Sequence, residues 1–316
     1  MSILVCVLAL FLMTCSKAER SGDAGGEPEK TGALTYLNRY SNANINGASS
    51  VAVSPDGNHV YVAALYADAV AWFSRNPDSG SLTYGDRYSN ANIDGASSVV
   101  VSPDSNHVYV AALYAEAVAW FSRNPDSGSL TYGGRYSDPN IDGVYSVAVS
   151  PDGNHVYVAA FVAEAVAWFT RNLADGSLTY IGRYSDVNIA GPRSVTVSPD
   201  GNHVYVAATY ADAVAWFTRN STAGALTYGG RYSDVNIAGP CYVTVSPNGN
   251  HVYIAAYGDA VAWLTRNSTT GALTYGGRYS DPNIDSAYSV AVSPDGNHVY
   301  VAAPRRAEAV AWFRRD

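Results

Sequence analysis

At 316 residues the chain is long enough to bury a substantial core, as one large β domain or two ordinary ones. Its formal charge of -8 and pI near 5.1 argue against a nucleic-acid partner, since a phosphate-binding surface needs clustered Lys and Arg. Two of the three cysteines, Cys6 and Cys15, fall in the first fifteen residues, which leaves Cys241 alone and rules out an internal disulfide framework.

The chain begins with an apolar run from Ile3 to Met13, too short to span a bilayer of about 30 Å and suited to an export signal. Leu12-Met13-Thr14-Cys15 resembles a bacterial lipobox, which makes Cys15 the expected lipidation site and mature N-terminus. Ordinary cleavage after Ala18 is the alternative. Residues 1–15 therefore read as a signal peptide of the lipoprotein type. Residues 16–30, polar and rich in Gly and Glu, read as a flexible tether. The expected location is the periplasm or cell envelope, with membrane contact only through the N-terminal lipid.

From Thr31 onward one unit recurs. His59, His107, His155, His203, His251 and His298 stand 48, 48, 48, 48 and 47 residues apart, and Trp72, Trp120, Trp168, Trp216, Trp263 and Trp312 keep the same beat. A period of this length means a repeat architecture. Each unit holds four short Val-, Tyr-, Phe- and Trp-rich runs, here called strands A to D, separated by turn chemistry such as Pro-Asp-Gly-Asn. Four antiparallel strands per unit make one propeller blade, and the two apolar faces of Val70-Ala71-Trp72-Phe73 suit a sheet packed between two neighbours. The expected fold is all-β: a six-bladed β-propeller over residues 31–316, made of four-stranded blades. The strand at residues 31–42 is expected to complete the last blade, closing the ring and protecting its edges.

The motifs "SVAVSPDGNHVYVAA", "DAVAWFSRN" and "GSLTYGGRYS" resemble the repeat of the lactonase-type propellers, the group that includes bacterial 6-phosphogluconolactonase and the wider Tyr-Val-Thr-Asn repeat proteins. The resemblance covers residues 31–316. It implies a propeller, usually of seven blades where this chain supplies six, and a channel-mouth site where Arg, His and Glu open a sugar-acid lactone.

Several side-chain patterns compete for a role. Each histidine follows the A–B turn and is unaccompanied by further N or S donors, so it reads as structural rather than as a zinc ligand. "DPNIDG" at Asp138 matches the first half of a calcium loop, but Val149 stands where the closing Glu belongs; a self-bonded turn is the simpler reading. Every unit also pairs an Arg of "RYS" (Arg39, Arg87, Arg135, Arg183, Arg231, Arg278) with an acid of the B–C loop (Asp68, Glu116, Glu164, Asp212, Asp259, Glu308). Forked Arg–carboxylate pairs would lock neighbouring blades together, or these residues would line a small polar pocket. The start of strand A varies between copies and brings Tyr145, Arg193, Cys241, Tyr242 and Tyr288 to the face that also carries the B–C loops, with Arg305 and Arg306 nearby. A ligand is expected on that face, chiefly from Arg87, Arg135, Arg183, Arg231 and Arg278, the six acids, and Tyr145, Arg193, Tyr242 and Tyr288. No catalytic residue, metal or cofactor stands out. The reading that follows is an exported monomeric binding or scaffold module for a saccharide, surface polymer or protein. A lactone hydrolase is the alternative.

Overall fold

Ser-Pro-Asp-Gly-Asn folds into a turn that ties itself together. The Ser54 hydroxyl donates to Asp56 Oδ1 and accepts from the His59 N–H, while Asp56 Oδ1 also accepts from the Asn58 N–H. Gly57 stands at φ +76°, the left-handed region where a side chain is strained. This turn joins β1 (Ala48–Val53) to β2 (His59–Ala64); β3 (Ala69–Arg75) and β4 (Leu82–Ser89) follow. The four pair antiparallel in chain order.

The computed structural model describes residues 39–257, 260–284, 287–303 and 309–315. Among them the four-stranded sheet repeats at 96–137, 144–185, 192–233 and 240–280, and a sixth sheet of three strands lies within 289–314. The molecule is an all-β propeller of six blades, linked by short 3-10 turns instead of α-helices. Of the strand expected at 31–42, residues 31–38 lie outside the described residues. Only its end is described: Tyr40 stacks on Tyr84 and meets the edge of Phe73, as Tyr88 does with Tyr132 and Phe121 one blade on.

Burial follows the pattern expected of blades packed on both faces. Tyr61, Val70 and Trp72 pack against Val99, Val108 and Phe121 of blade 2, and the cluster recurs between later blades. β1 lies beside its counterpart in blade 2, and this run of first strands continues to blade 6. The seam from blade 6 to blade 1 differs. Leu82 is 44% exposed where its equivalent Leu130 is 9%, and Trp312 is 49% exposed where Trp72 is 8%.

One local irregularity positions the functional face. In each of the first five blades strand A carries a β-bulge at its second residue: Ala48 faces Ala64 and Ser50 faces Ala63, so Ser49 is the extra residue. Ser97, Tyr145, Arg193 and Cys241 hold the same place. A bulge re-aims its side chain out of the pleat.

Candidate functional site

The histidines resolve first, at the end of the ring that bears the A–B turns. Arg123, the last residue of strand C in blade 2, reaches back into blade 1. Its Nε donates to the Tyr61 hydroxyl (2.7 Å) and its Nη2 to Asp56 (2.7 Å) and His59 Nδ1 (2.8 Å), while Nη1 holds Ser105 O of its own blade. The same clamp joins Arg171 to Asp104, Arg219 to Asp152 and Arg266 to Asp200, each arginine side chain being essentially inaccessible. Accepting from Arg⁺ at Nδ1 requires a neutral imidazole protonated at Nε2, and burial together with the arginine charge lowers the His59 pKa. Burial pushes the Tyr61 phenol up to about 12. Burial alone would raise the clamp aspartates, but bonds from Ser, backbone N–H and Arg outweigh it, and Asp200 falls to about 2. Arg315 bonds His251 in the same way, but Asn248 replaces the aspartate there. His59, His107, His155, His203 and His251 are thus each held by an arginine of the following blade.

The expected pairing of "RYS" arginines with B–C acids is not what locks the blades. Arg135, Arg183, Arg231 and Arg278 lie exposed on the outermost strands, with Arg87 half-buried, and the four ion pairs among the described residues are those of the clamp. The B–C acids act on backbone instead. Asp68, Glu116, Glu164 and Asp212 occupy left-handed turn positions, and Asp68 Oδ1 accepts from the Gly95 N–H as Asp212 does from Gly239. These two bonds cross from the B–C loop of one blade to the loop that opens the next, so the acids join neighbouring blades through a backbone N–H and not through an outer-strand arginine. Asp259, Arg305, Arg306 and Glu308 lie outside the described residues, as does Cys15. The D–A loops also bond themselves: Asp138 and its equivalents cap the following turn through the N–H two residues on.

On the opposite face the bulge position separates the copies. In three blades it is small and turns sideways: Ser97 Oγ donates to Ala111 O and Val144 O, Ser49 bonds the matching carbonyls, and Cys241 Sγ meets Ala255 O and Ala287 O. Tyr145, Arg193 and Tyr288 are too long for that slot, and they converge. The Arg193 guanidinium carbon lies 4.8 Å from the Tyr145 ring centre, 5.1 Å from Phe161 and 5.3 Å from Tyr257, and Nη1 donates to the Tyr257 hydroxyl. Tyr257 packs against Tyr288, and Phe161 against Tyr210. Four blades thus build one cluster.

Burial works against the Arg193 charge, but the facing phenols of Tyr145, Tyr257 and Tyr288 outweigh it, so its pKa lies above the usual arginine value. Its Nε is buried without a hydrogen-bond partner. Among the described residues no carboxylate pairs with it. Burial and the neighbouring phenols push the Tyr288 pKa far up, which keeps its hydroxyl protonated. Tyr242, expected here, occupies the next position along strand A, where the other blades carry Ser; it is half-buried and bonds Ser289. Of the expected residues, then, Tyr145, Arg193 and Tyr288 come together. Phe161, Tyr210 and Tyr257 join them from B–C loops, whose variation between copies was the available signal.

A blade of this sequence, repeated around one axis, can be compared with known propellers. The family described as "Lactonase, 7-bladed beta-propeller" matches residues 22–140 and 138–239. The chain belongs to this lactonase family. No curated protein matches it. Among solved structures, one described as a putative 6-phosphogluconolactonase from Bacteroides uniformis superposes with a TM-score of 0.76 at 18% identity, covering 85% of this chain and 81% of that one. The periplasmic gluconolactonase of Pseudomonas aeruginosa superposes with a TM-score of 0.66 at 20% identity over 76% and 71% of the two chains. These likenesses show the propeller. The lactonase family is described with seven blades, and this member has six among its described residues.

Proposed function

We propose that this chain is an exported ligand-binding propeller whose small-molecule ligand seats once, on the bulge-bearing face, against Tyr145, Arg193 and Tyr288. The observation that carries this is the half-buried Arg193 guanidinium with its buried, unpartnered Nε, walled by aromatic rings. A buried donor without a partner costs about 1–3 kcal/mol, which an incoming acceptor recovers. Because the copies differ at the bulge, one asymmetric site is favoured over six equal ones. Export is supported by the apolar N-terminal run and Cys15.

Ligand-observed NMR tests this with a panel of small organic acids, sugars and lactones. Binding that disappears in Arg193→Gln while the melting temperature holds supports the site. Binding unaffected by that substitution, or none across the panel, counts against it.

Lactone hydrolysis is the second reading, favoured by membership of the lactonase family. Opening a lactone calls for a group that activates water. The Nδ1 atoms of His59, His107, His155 and His203 accept from the clamp arginines at the other end of the ring, and among the described residues the side chains gathered at Arg193 bring phenols, a phenyl ring and a thiol. Turnover of δ-gluconolactone that Arg193→Gln abolishes would establish this reading over binding alone.

A further inference from the structure

The ligand class can be taken further, resting on the site just described. We infer that the Arg193 site takes a monoanionic carboxylate on a flat, largely apolar body, an aryl carboxylate, in preference to a polyhydroxylated sugar acid, a neutral lactone or a phosphate ester.

Charge comes first. Arg193 is the cation that the cluster's rings surround, and none of the ion pairs among the described residues neutralises it. A single half-buried positive charge is balanced by one negative charge. A phosphate ester near its second ionisation would bring an excess negative charge into a site half-removed from water, and a buried unpaired charge is strongly disfavoured. A neutral lactone would leave Arg193 unpaired.

Shape and donors come next. The guanidinium is planar and presents parallel N–H groups that match a carboxylate. Nη1 is already given to Tyr257, and the buried Nε has no partner. The Tyr288 O–H, kept protonated by burial, is already bonded to Tyr145. The donors left to a ligand are those of the guanidinium, as an anion requires.

The walls separate an aryl body from a sugar. Tyr145, Phe161 and Tyr210 form one series of tilted ring contacts and Tyr257 and Tyr288 a second, with centroids 5.0 to 6.4 Å apart, and the Arg193 guanidinium lies against rings of both. Tilted pairs at such distances are the geometry in which a further aromatic ring is accommodated edge to face. A sugar acid would also bring several hydroxyl donors needing carboxylate or amide acceptors, and among the described residues the side chains around Arg193 bring phenols, a phenyl ring and a thiol.

Isothermal titration of the full chain with benzoate, benzamide, phenyl phosphate and gluconate tests the class. Benzoate is expected to bind, with the other three at least about tenfold weaker, as loss of a charge-assisted bond implies. Arg193→Gln is expected to lose benzoate about tenfold or more, and Tyr66→Ala, on the exposed B–C loop of blade 1, to retain it. Gluconate or phenyl phosphate binding as tightly as benzoate, in an Arg193-dependent way, would overturn the class and leave the site standing. Benzoate binding equally to wild type and Arg193→Gln, or no binding by any of the four, overturns the inference; in the former case the site falls with it, and in the latter the wider NMR panel decides the site. Should Arg193→Gln fail to fold, saturation transfer from tyrosine ring protons to benzoate in the wild-type protein takes its place, and its absence overturns the inference.

Discussion

Replacing Arg171 with Leu tests whether the clamps hold the ring together. The wild-type side chain has no exposed surface; it bonds Tyr109 at 2.8 Å, Gly153 O at 2.9 Å, Asp104 at 2.8 Å and His107 Nδ1 at 2.6 Å. Without it, Tyr109 still donates to Gly176 O, but Gly153 O and His107 Nδ1 lose their donor. Breaking a buried pair by removing one partner costs about 3–5 kcal/mol. The Asp104 side chain is 34% exposed and regains water, which places the loss at the low end, about 3 kcal/mol. At about 2 °C per kcal/mol for a chain of this size, the melting temperature should fall by about 6 °C. Asp104→Asn should cost only about 1 kcal/mol. Blade 5 supports this, because Asn248 holds Ser246 and the Asn250 N–H as the aspartates hold theirs. Thermal melts followed by circular dichroism, with urea titration as a second probe, provide the measurement. An Arg171→Leu melt superimposable on wild type would refute the clamp.

The same clamps predict acid sensitivity. The His59, His107, His155 and His203 pKa values are lowered by burial and by the adjacent arginines, so the unfolded chain binds protons first. Their contribution is complete above about pH 6.5 and is lost progressively as pH falls below it; the lowered clamp aspartates add a second loss below about pH 4. A urea midpoint that stays level from pH 7 to pH 5 contradicts this. Gly128→Ala and Gly80→Ala separate strain from crowding, because both residues have positive φ but only at Gly128 would a Cβ meet a neighbour, 2.2 Å from His59 Cδ2. Gly80→Ala should cost about 1–2 kcal/mol and Gly128→Ala about 1–3 kcal/mol more; equal losses would show that the His59 contact yields freely. Deleting residues 31–42 removes Tyr40 from Phe73 and Tyr84 along with the strand expected to complete blade 6, so aggregation or a broadened melt should follow, and an unchanged monomeric melt would discount that strand. Mass spectrometry of the exported protein should find a lipidated Cys15 at its N-terminus; an unmodified terminus after Ala18 would establish the ordinary cleavage instead.

Much of the fold could be read before any coordinates. The histidine and tryptophan beat, the self-tied Pro-Asp-Gly-Asn turn and the two apolar faces of strand C each express local chemistry, and local chemistry repeats with the sequence. The clamp was half-legible: an Arg ends strand C in all six copies and an Asp sits in five of six A–B turns, yet they lie in different blades, so pairing them needs the ring. The "RYS" arginines and B–C acids looked equally eligible by the same count. What separates the two sets is burial, since the clamp arginines are enclosed between sheets and the "RYS" arginines lie on outer strands.

By itself the sequence determined that this is an all-β repeat protein whose blades differ on one face, because turn propensity and side-chain alternation act over a few residues. The tertiary structure decided which differences matter. A one-residue bulge rotates the second position of strand A out of the pleat, and ring geometry then brings Tyr145, Arg193 and Tyr288 together from positions 48 and 95 residues apart. Convergence across an axis depends on how the blades pack, and no local pattern in the chain encodes it.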